Sequence, residues 1–302
     1  MSDARDRLDA EWAGHRPAVF GAAYRITGSV ADADDIVQDV WLRAAQRETL
    51  DDVRDLRAFL VTVAARRAYD VLTSARARRV DYVGPWLPEP LLTGPDAAGP
   101  VLVDDLVGTA MLVLMEELTP AERVAFVLRR AFEVPYERIA EVLGRTPDAA
   151  RQLVSRARRK VGPAREAGGT RAERERIVAA FRRAQEDGDA EALLELLAPD
   201  ATYTTDGGGE LFAARKVIAG AERVAAVLVR VRGMYGLRLA DAEVNGEPGL
   251  VVMGDRGLNS VDSLEIVAGR VTAYRRVLNP SKLASVAAKA EGPARDCAGP
   301  LG

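Results

Sequence analysis

Apolar residues recur at helical spacing from near the start of the chain to about residue 79. Val19, Ala22, Ala23 and Ile26 share a face, and Gly28 ends that segment. Asp32 to Ala45 continues with Ile36, Val37, Val40, Trp41 and Ala44 on one face, and Leu56 to Leu72 with Phe59, Leu60, Val63, Ala64 and Val71. The texture then changes. GPWLPEPLLTGPDAAGP (84–100) holds five prolines and three glycines, which predicts a linker. Trp86, Leu87, Leu91 and Leu92 make it unusually apolar for one. Helical periodicity returns at Asp105 and runs to about Arg165, Gly168–Gly169 interrupts it, and two helical stretches follow from Arg171 to Ala198. Alternation takes over in LRLADAEV (237–244), GLVVMG (249–254), VDSLEIV (261–267) and RVTAYRRVL (270–278), which predicts four strands, the last two joined at Ala268–Gly269. The tail after Leu283 is rich in Ala, Gly and Pro and is expected to be loose. The expected organisation is multidomain: all-α domains over 1–80 and 105–165 joined by a linker at 81–104, then an α+β domain over 171–285 and a flexible tail at 286–302.

Composition narrows the chemistry. Hydrophobic residues make up 48% of the 302 and charged residues 29%, as in a soluble globular protein. Cys297 and His15 stand alone in their types, which removes an intrachain disulfide, a cysteine zinc site and most metal or acid–base chemistry. No cofactor is expected. No apolar run approaches the roughly 18 residues of a membrane span, and the acidic, polar MSDARDRLDAEW is unlike a secretory signal. The expected location is the cytoplasm, with no membrane partner. The net charge of −3 conceals two basic clusters. Arg66, Arg67, Arg76, Arg78 and Arg79 face one acid, Asp70; Arg151, Arg156, Arg158, Arg159 and Lys160 face none within 151–160. Each is the footprint that phosphate contacts require, although either cluster alone is equally compatible with a solvated helix face.

The clearest local signal is PYERIAEVLGRTPDAARQLVSRARRKV (135–161). Tyr136, Ile139, Ala140 and Leu143 line one helix, Gly144 supplies a turn, Thr146 is an N-cap and Pro147 occupies the first helical position. The second helix buries Ala150, Leu153, Val154, Ala157 and Val161 and turns Arg151, Gln152, Ser155 and Arg156 outward. That pattern predicts a helix-turn-helix whose outward residues read base edges in the major groove. Arg158, Arg159 and Lys160 suit phosphate contacts. The bland alternative is a helical hairpin with a charged face.

Several segments carry a family resemblance. DADDIVQDVWLRA (32–44) with LRAFLVTVAARRAYDVLTSARARR (56–79) resembles region two of bacterial sigma factors. TPAERVAFVLRRAFEVPYERIAEVLG with the helix after it resembles region four, and the presence of these two regions alone points to the extracytoplasmic-function group. YVGPWLPEP (82–90), DGGGE (206–210), VNGEPGLVV (244–252) and NPSKL (279–283) resemble marks of a sigma-J-like subgroup with a SnoaL-like C-terminal domain, a cone-shaped α+β fold shared with ketosteroid isomerase. The resemblance implies that the 32–44 helix docks on core RNA polymerase through Asp35, Gln38, Asp39 and Trp41 against the β′ clamp helices, while region four meets the β flap. It implies that residues 57–79 capture the melted minus-ten element of promoter DNA, with Arg66, Tyr69, Arg76, Arg78, Arg79 and Tyr82 as candidates, and that the recognition helix reads the minus-thirty-five element. Arg67 stands where many relatives have asparagine, which leaves the base preference open. Glu210 and Ser281 replace the lysine and aspartate usual in DGGGK and NPDKL, so a salt bridge of the usual pattern is not carried over. A dedicated anti-sigma factor is not required by this reading.

The C-terminal domain poses a separate question. An isomerase or cyclase needs a base and an oxyanion donor. Asp206 with Tyr203, Tyr235 or Tyr274 are the candidates, and the domain has no histidine. DGGG supplies backbone freedom and close approach more readily than a dry, fixed carboxylate. The expectation is a non-catalytic regulatory module. The alternatives are a SnoaL-like enzyme fused to a DNA-binding module, or a one-component regulator with a small molecule in the SnoaL-like pocket. A solvated linker has no reason to place Trp86 and Leu87 between prolines, and the extended WLPEP suits docking in a groove. Trp86, Leu87, Pro88, Glu89 and Pro90 are therefore expected against Asp206, Gly207, Gly208, Gly209, Asn279, Pro280 and Lys282; the alternative packs Trp86 on the helical domains.

Overall fold

A computed structural model describes residues 2–47, 49–50, 53–78, 82–94, 108–162, 169–211, 213–255 and 257–290, without the side chains of 2–6, 75–78 and 288–290. Arg79, the second half of the expected linker from residue 95 to 104, and residues 291–302 lie outside these, as do the side chains of Arg76 and Arg78. The chain forms two compact units: one of residues 1–82 and 99–166, the other of 83–98 and 167–302. The WLPEP segment thus belongs with the C-terminal unit.

In the first unit, α1 (Ser2–Thr27), α2 (Val30–Ala45) and α3 (Leu56–Arg78) pack together. Ser29 caps α2, its side chain accepting from the Asp32 amide at 3.1 Å. The buried face of α3 runs through Leu60, Val61, Ala64, Ala65, Ala68 and Leu72. Phe59, Val63 and Val71 were expected on that face but are only half-buried, because the small residues at 64, 65 and 68 let α1 approach the neighbouring side of the helix. Trp41 is likewise half-buried, while Val40 beside it is sealed. The other helices are α4 (Thr109–Met115), α5 (Pro120–Ala131), α6 (Tyr136–Leu143) and α7 (Pro147–Val161). α5 packs on α1 and α3, and Arg123, 1% exposed, donates from Nε to the Arg25 carbonyl at 3.0 Å and pairs with Glu116.

The second unit is an α+β domain. Its six-stranded sheet has the order β2-β1-β6-β5-β4-β3. The strands are β1 (Leu197–Asp206), β2 (Ile218–Ala219), β3 (Arg238–Val244), β4 (Glu247–Gly254), β5 (Gly257–Val267) and β6 (Arg270–Val277). Among the described residues only the β1–β6 pairing is parallel, and its register carries Asp206 beside Val277. Helices α8 (Arg171–Asp187), α9 (Ala190–Leu196) and α10 (Ala221–Tyr235) bury Val178, Phe181, Leu193, Val224 and Leu228 against Tyr203, Leu250, Val252 and Tyr274 of the sheet. The sequence reading missed β1, β2 and α10. The expected tail at 286–302 is helical where it begins: α11 (Pro280–Ala290) reaches Ala290 and buries Leu283 and Val286. Asn279 starts this helix by accepting the Ser281 amide on Oδ1 at 3.0 Å. Among the described residues no helix is long and apolar enough to cross a membrane.

Candidate functional site

The α6–α7 pair is built by its turn. Gly144 adopts φ 62°, the left-handed cap that closes α6 with little strain for a residue lacking Cβ. Thr146 then caps α7 by accepting the Ala149 amide at 3.3 Å, and Pro147 opens the helix. Ala150, Leu153, Val154, Ala157 and Val161 are buried, leaving Arg151, Gln152, Ser155, Arg156, Arg158 and Arg159 exposed on the other side. Two of these arginines are held. Arg151 reaches Asp148 at 2.6 Å and Glu137 at 3.5 Å and lies over the Tyr136 ring at 5.3 Å. Arg156 and Lys160 both reach Glu122 of α5, at 3.4 and 2.7 Å. Burial alone would raise the Glu122 carboxyl, but the bonds from Lys160 and the Thr119 amide bring it below the usual carboxylate range. Sequence reasoning missed Glu122; TPAE announces a capping box, but not the second role across to α7.

On the other helical bundle, Asp35 and Gln38 are exposed on α2 with Trp41 half-buried nearby. Asp39 is different. Arg67 of α3 grips its Oδ2 from Nε at 2.8 Å and from a terminal nitrogen at 2.7 Å. Behind that bridge α2 and α3 enclose an open groove of about 530 Å³, lined by Val40, Arg43, Arg47, Phe59, Arg66 and Arg67 among others. Arg47 lies over the Phe59 ring at 5.2 Å. The groove combines cationic and aromatic surface, the pairing that single-stranded nucleic acid requires. Arg66 is on its wall; Arg43 and Arg47 were not singled out from sequence, and Phe59 was expected only on the buried face of its helix. Tyr69 is half-buried farther along α3, and Tyr82 is half-buried as well.

The WLPEP segment lies on the C-terminal unit. Asp206, 1% exposed at the end of β1, accepts the Leu87 amide on Oδ2 at 2.8 Å, the Lys282 ammonium on the same oxygen at 2.7 Å, and the Gly208 amide on Oδ1 at 3.1 Å. Lys282 also donates to the Leu87 carbonyl at 2.5 Å and sits 4.1 Å from the centre of the Trp86 ring. Farther along, Ser285 donates to Glu89 at 3.3 Å, and Asn245 exchanges bonds with Leu91, accepting its amide on the side chain at 3.3 Å and donating to its carbonyl at 2.7 Å. Leu92 then forms an antiparallel bridge with Val244. Pro88 and Pro90 are buried, as are Leu87, Glu89 and Leu91; Trp86 is half-buried. The glycines admit this packing. A Cβ on Gly208, at φ 65°, would meet the Asn279 side chain at 2.5 Å, and one on Gly209, at φ 80°, would crowd Val83 at 3.2 Å. Gly207 packs elsewhere, since a Cβ on it would meet Ala213 at 2.8 Å, and Pro280 opens α11 next to Asn279. Of the sequence-selected residues, Leu87, Asp206, Gly208 and Lys282 are joined by hydrogen bonds into a clamp, and Glu89 is bonded through Ser285; Asn245 and Ser285 were not selected.

Asp262, Arg276, Tyr274, Tyr203 and Gln185 form a second buried polar group inside this unit. Arg276 meets Asp262 with three contacts between 2.7 and 3.1 Å and Tyr274 at 3.0 Å; Tyr274 donates to Asp262, as does Ser260 at 2.8 Å. Burial pushes the Tyr274 hydroxyl well above the usual phenol range; the nearby Arg276 cation opposes this and Asp262 adds to it.

The described residues thus hold a helix-turn-helix, a groove with cationic and aromatic walls, and an α+β domain. Comparison with known proteins gives the family. Sigma-70 region 2 matches residues 12–78 and Sigma-70 region 4 matches residues 109–161. The ECF RNA polymerase sigma factor SigJ of Mycobacterium tuberculosis is 41% identical over 87% of this chain and 86% of its own length. A protein of the same species called probable ECF RNA polymerase sigma factor SigI is 34% identical over 95% of this chain and 98% of its length. The crystal structure of M. tuberculosis SigJ superposes with a TM-score of 0.75 at 35% identity, covering 92% of this chain and 98% of that one. The chain belongs to the extracytoplasmic-function RNA polymerase sigma factors.

Proposed function

We propose that this sigma factor selects its promoters through the exposed face of α7 and the α2–α3 groove, docks on core polymerase through α2, and is regulated in cis by its C-terminal unit acting on the interdomain linker. It works in the cytoplasm, where polymerase and promoter DNA are. The single observation that carries the regulatory part is the hold of Asp206 and Lys282 on Leu87, with Lys282 also over the Trp86 ring. Holding residues 83–92 shortens the tether between α3 and α4, so the clamp state sets how far the two DNA-binding regions can separate. Catalysis by the C-terminal unit is disfavoured, because both Asp206 oxygens are already bonded and Asp262 is committed to Arg276. The experiment that tests the regulatory part is in vitro transcription with core polymerase and Trp86→Ala in the full chain. A changed transcript yield with unchanged thermal stability is the expected outcome; identical yield would contradict it.

Promoter choice is tested on the same holoenzyme. Arg156→Ala is expected to weaken binding to the preferred upstream element by about 1–3 kcal/mol and to relax discrimination at one base pair. Arg159→Ala is expected to lower affinity evenly across sequences and to reduce the salt dependence. Gel-shift titrations on point-mutated promoters separate the two; equal losses everywhere for both variants would overturn the assignment. For polymerase docking, Asp35→Arg is the clean probe, because reversing Asp39 also breaks its bridge to Arg67. Pull-down with core enzyme should weaken, and unchanged binding would move the interface elsewhere.

A further inference from the structure

Arg151 and Arg156 both project from the outward face of α7, yet they are held in different ways. The carboxylates around Arg151 are exposed, Asp148 at 85% and Glu137 at 62%, and exposed pairs of this kind fix geometry weakly. Glu122 beneath Arg156 is 5% exposed, and its own position is over-determined. It belongs to the capping box that starts α5: Thr119 donates its amide to Glu122 Oε2 at 2.9 Å and accepts the Glu122 amide on its hydroxyl at 3.3 Å. Lys160 supplies a further bond at 2.7 Å to the same oxygen. The other oxygen, Oε1, faces Arg156 Nε.

We propose that Glu122 is a positioning residue for promoter recognition, a buried carboxylate that seats the Arg156 guanidinium by its Nε edge and so directs its two terminal nitrogens outward to the base it reads. The inference rests on Arg156 reading a base edge. It adds that the rotamer is set before DNA arrives, by a residue that does not touch DNA. Arginine recognises guanine by presenting two nitrogens in a fixed plane, and a planar fork is useful only if its orientation is held. A residue that acts through Arg156 has a signature distinct from one that simply stabilises the fold. Glu122 is negative and lies beneath a DNA-facing helix, so removing its charge strengthens sequence-independent attraction to phosphate while loosening the arginine that discriminates. Preference at that base pair should therefore fall while non-specific affinity holds or rises.

The test uses the full chain reconstituted with core polymerase and a pool of promoter fragments randomised over the upstream element, with wild type, Glu122→Gln and Arg156→Ala compared. Arg156→Ala should abolish preference at one base pair. Glu122→Gln should reduce preference at that same base pair by about tenfold, while affinity for unrelated duplex DNA stays equal or rises. Thermal melting is recorded alongside. If Glu122→Gln does not fold cooperatively, Glu122→Asp keeps the charge but withdraws the carboxylate by one methylene, and the same local loss of preference is expected. Full preference at that position in the Gln variant, or the Asp variant where it is used, overturns the proposal while leaving Arg156 as a base reader. An equal fall in specific and non-specific binding also overturns it, since that marks a structural residue. Should Arg156→Ala itself leave the preference profile unchanged, the underlying reading fails and the positioning role with it.

Discussion

Lys282→Met is expected to free the WLPEP segment from the C-terminal unit. Methionine keeps the length of the chain beside Trp86 but removes the ammonium that bonds Asp206 and the Leu87 carbonyl together. Asp206 then keeps the amide donors of Leu87 and Gly208 but loses the ammonium that balances its charge. Breaking a buried pair from one side costs about 3–5 kcal/mol, and the slight exposure of Lys282, 11%, favours the lower end. The cation–π contact with Trp86 is lost as well. The segment has other anchors at Asn245 and Ser285, so release should begin at Leu87.

Hydrogen exchange distinguishes this outcome from general destabilisation. The Leu87 amide should lose protection more than the amides of β4 and β5, and Trp86 emission should shift red in a background without Trp12 and Trp41. Adding Asp206→Asn should restore much of the stability, because it removes the stranded charge while its side-chain oxygen still accepts the Leu87 amide. Unchanged Leu87 protection in Lys282→Met would show that the ammonium does not hold the linker.

The parts of this molecule legible in its sequence are those whose signals are local. Gly144, Thr146 and Pro147 define the helix-turn-helix within four residues, because capping and left-handed backbone are set by immediate neighbours. Alternation made β3 to β6 readable for the same reason. β1 was missed because Pro199 and Asp200 interrupt its start and its register shifts between Leu197 and Thr202 before ATYTTD resumes the alternation. β2 is two residues long, and α10 follows Gly220, which offers no side-chain cap, and fills its interior with valines that suit a strand equally well. The clamp divides in the same way. The apolar residues between prolines mark WLPEP as a docking segment, and the glycines after Asp206 mark a close approach. Asn245, by contrast, reads as an ordinary Asn-Gly turn between β3 and β4; its bond to Leu91 spans 154 residues and exists only once the sheet is folded. Glu122 and Arg67 share that limitation, since each is a local feature whose function depends on a partner from another helix.

Arg276→Met should be the most damaging single change in the C-terminal unit. Asp262 is wholly buried and Arg276 nearly so, and the guanidinium supplies three of the contacts that hold the carboxylate. Without it, Asp262 retains the hydroxyls of Tyr274 and Ser260 against a full charge, a loss of about 3–5 kcal/mol. Replacing Asp262 by leucine in the same chain should recover most of that, because an apolar pair of similar volume costs little where an unpaired charge costs much. Tyr274 adds a pH signature. Its folded pKa lies above the unfolded value of 10, so its contribution is complete below pH 10 and is lost as pH rises from there through the folded value, where only the unfolded chain releases the proton readily. Tyr203, raised by burial, acts in the same direction. Thermal melts taken from neutral to strongly alkaline solution should show a decline beginning near pH 10 that is shallower in Tyr274→Phe. A double variant no more stable than Arg276→Met alone, or an alkaline decline of equal slope with and without the Tyr274 hydroxyl, would show that the domain is not held by this network.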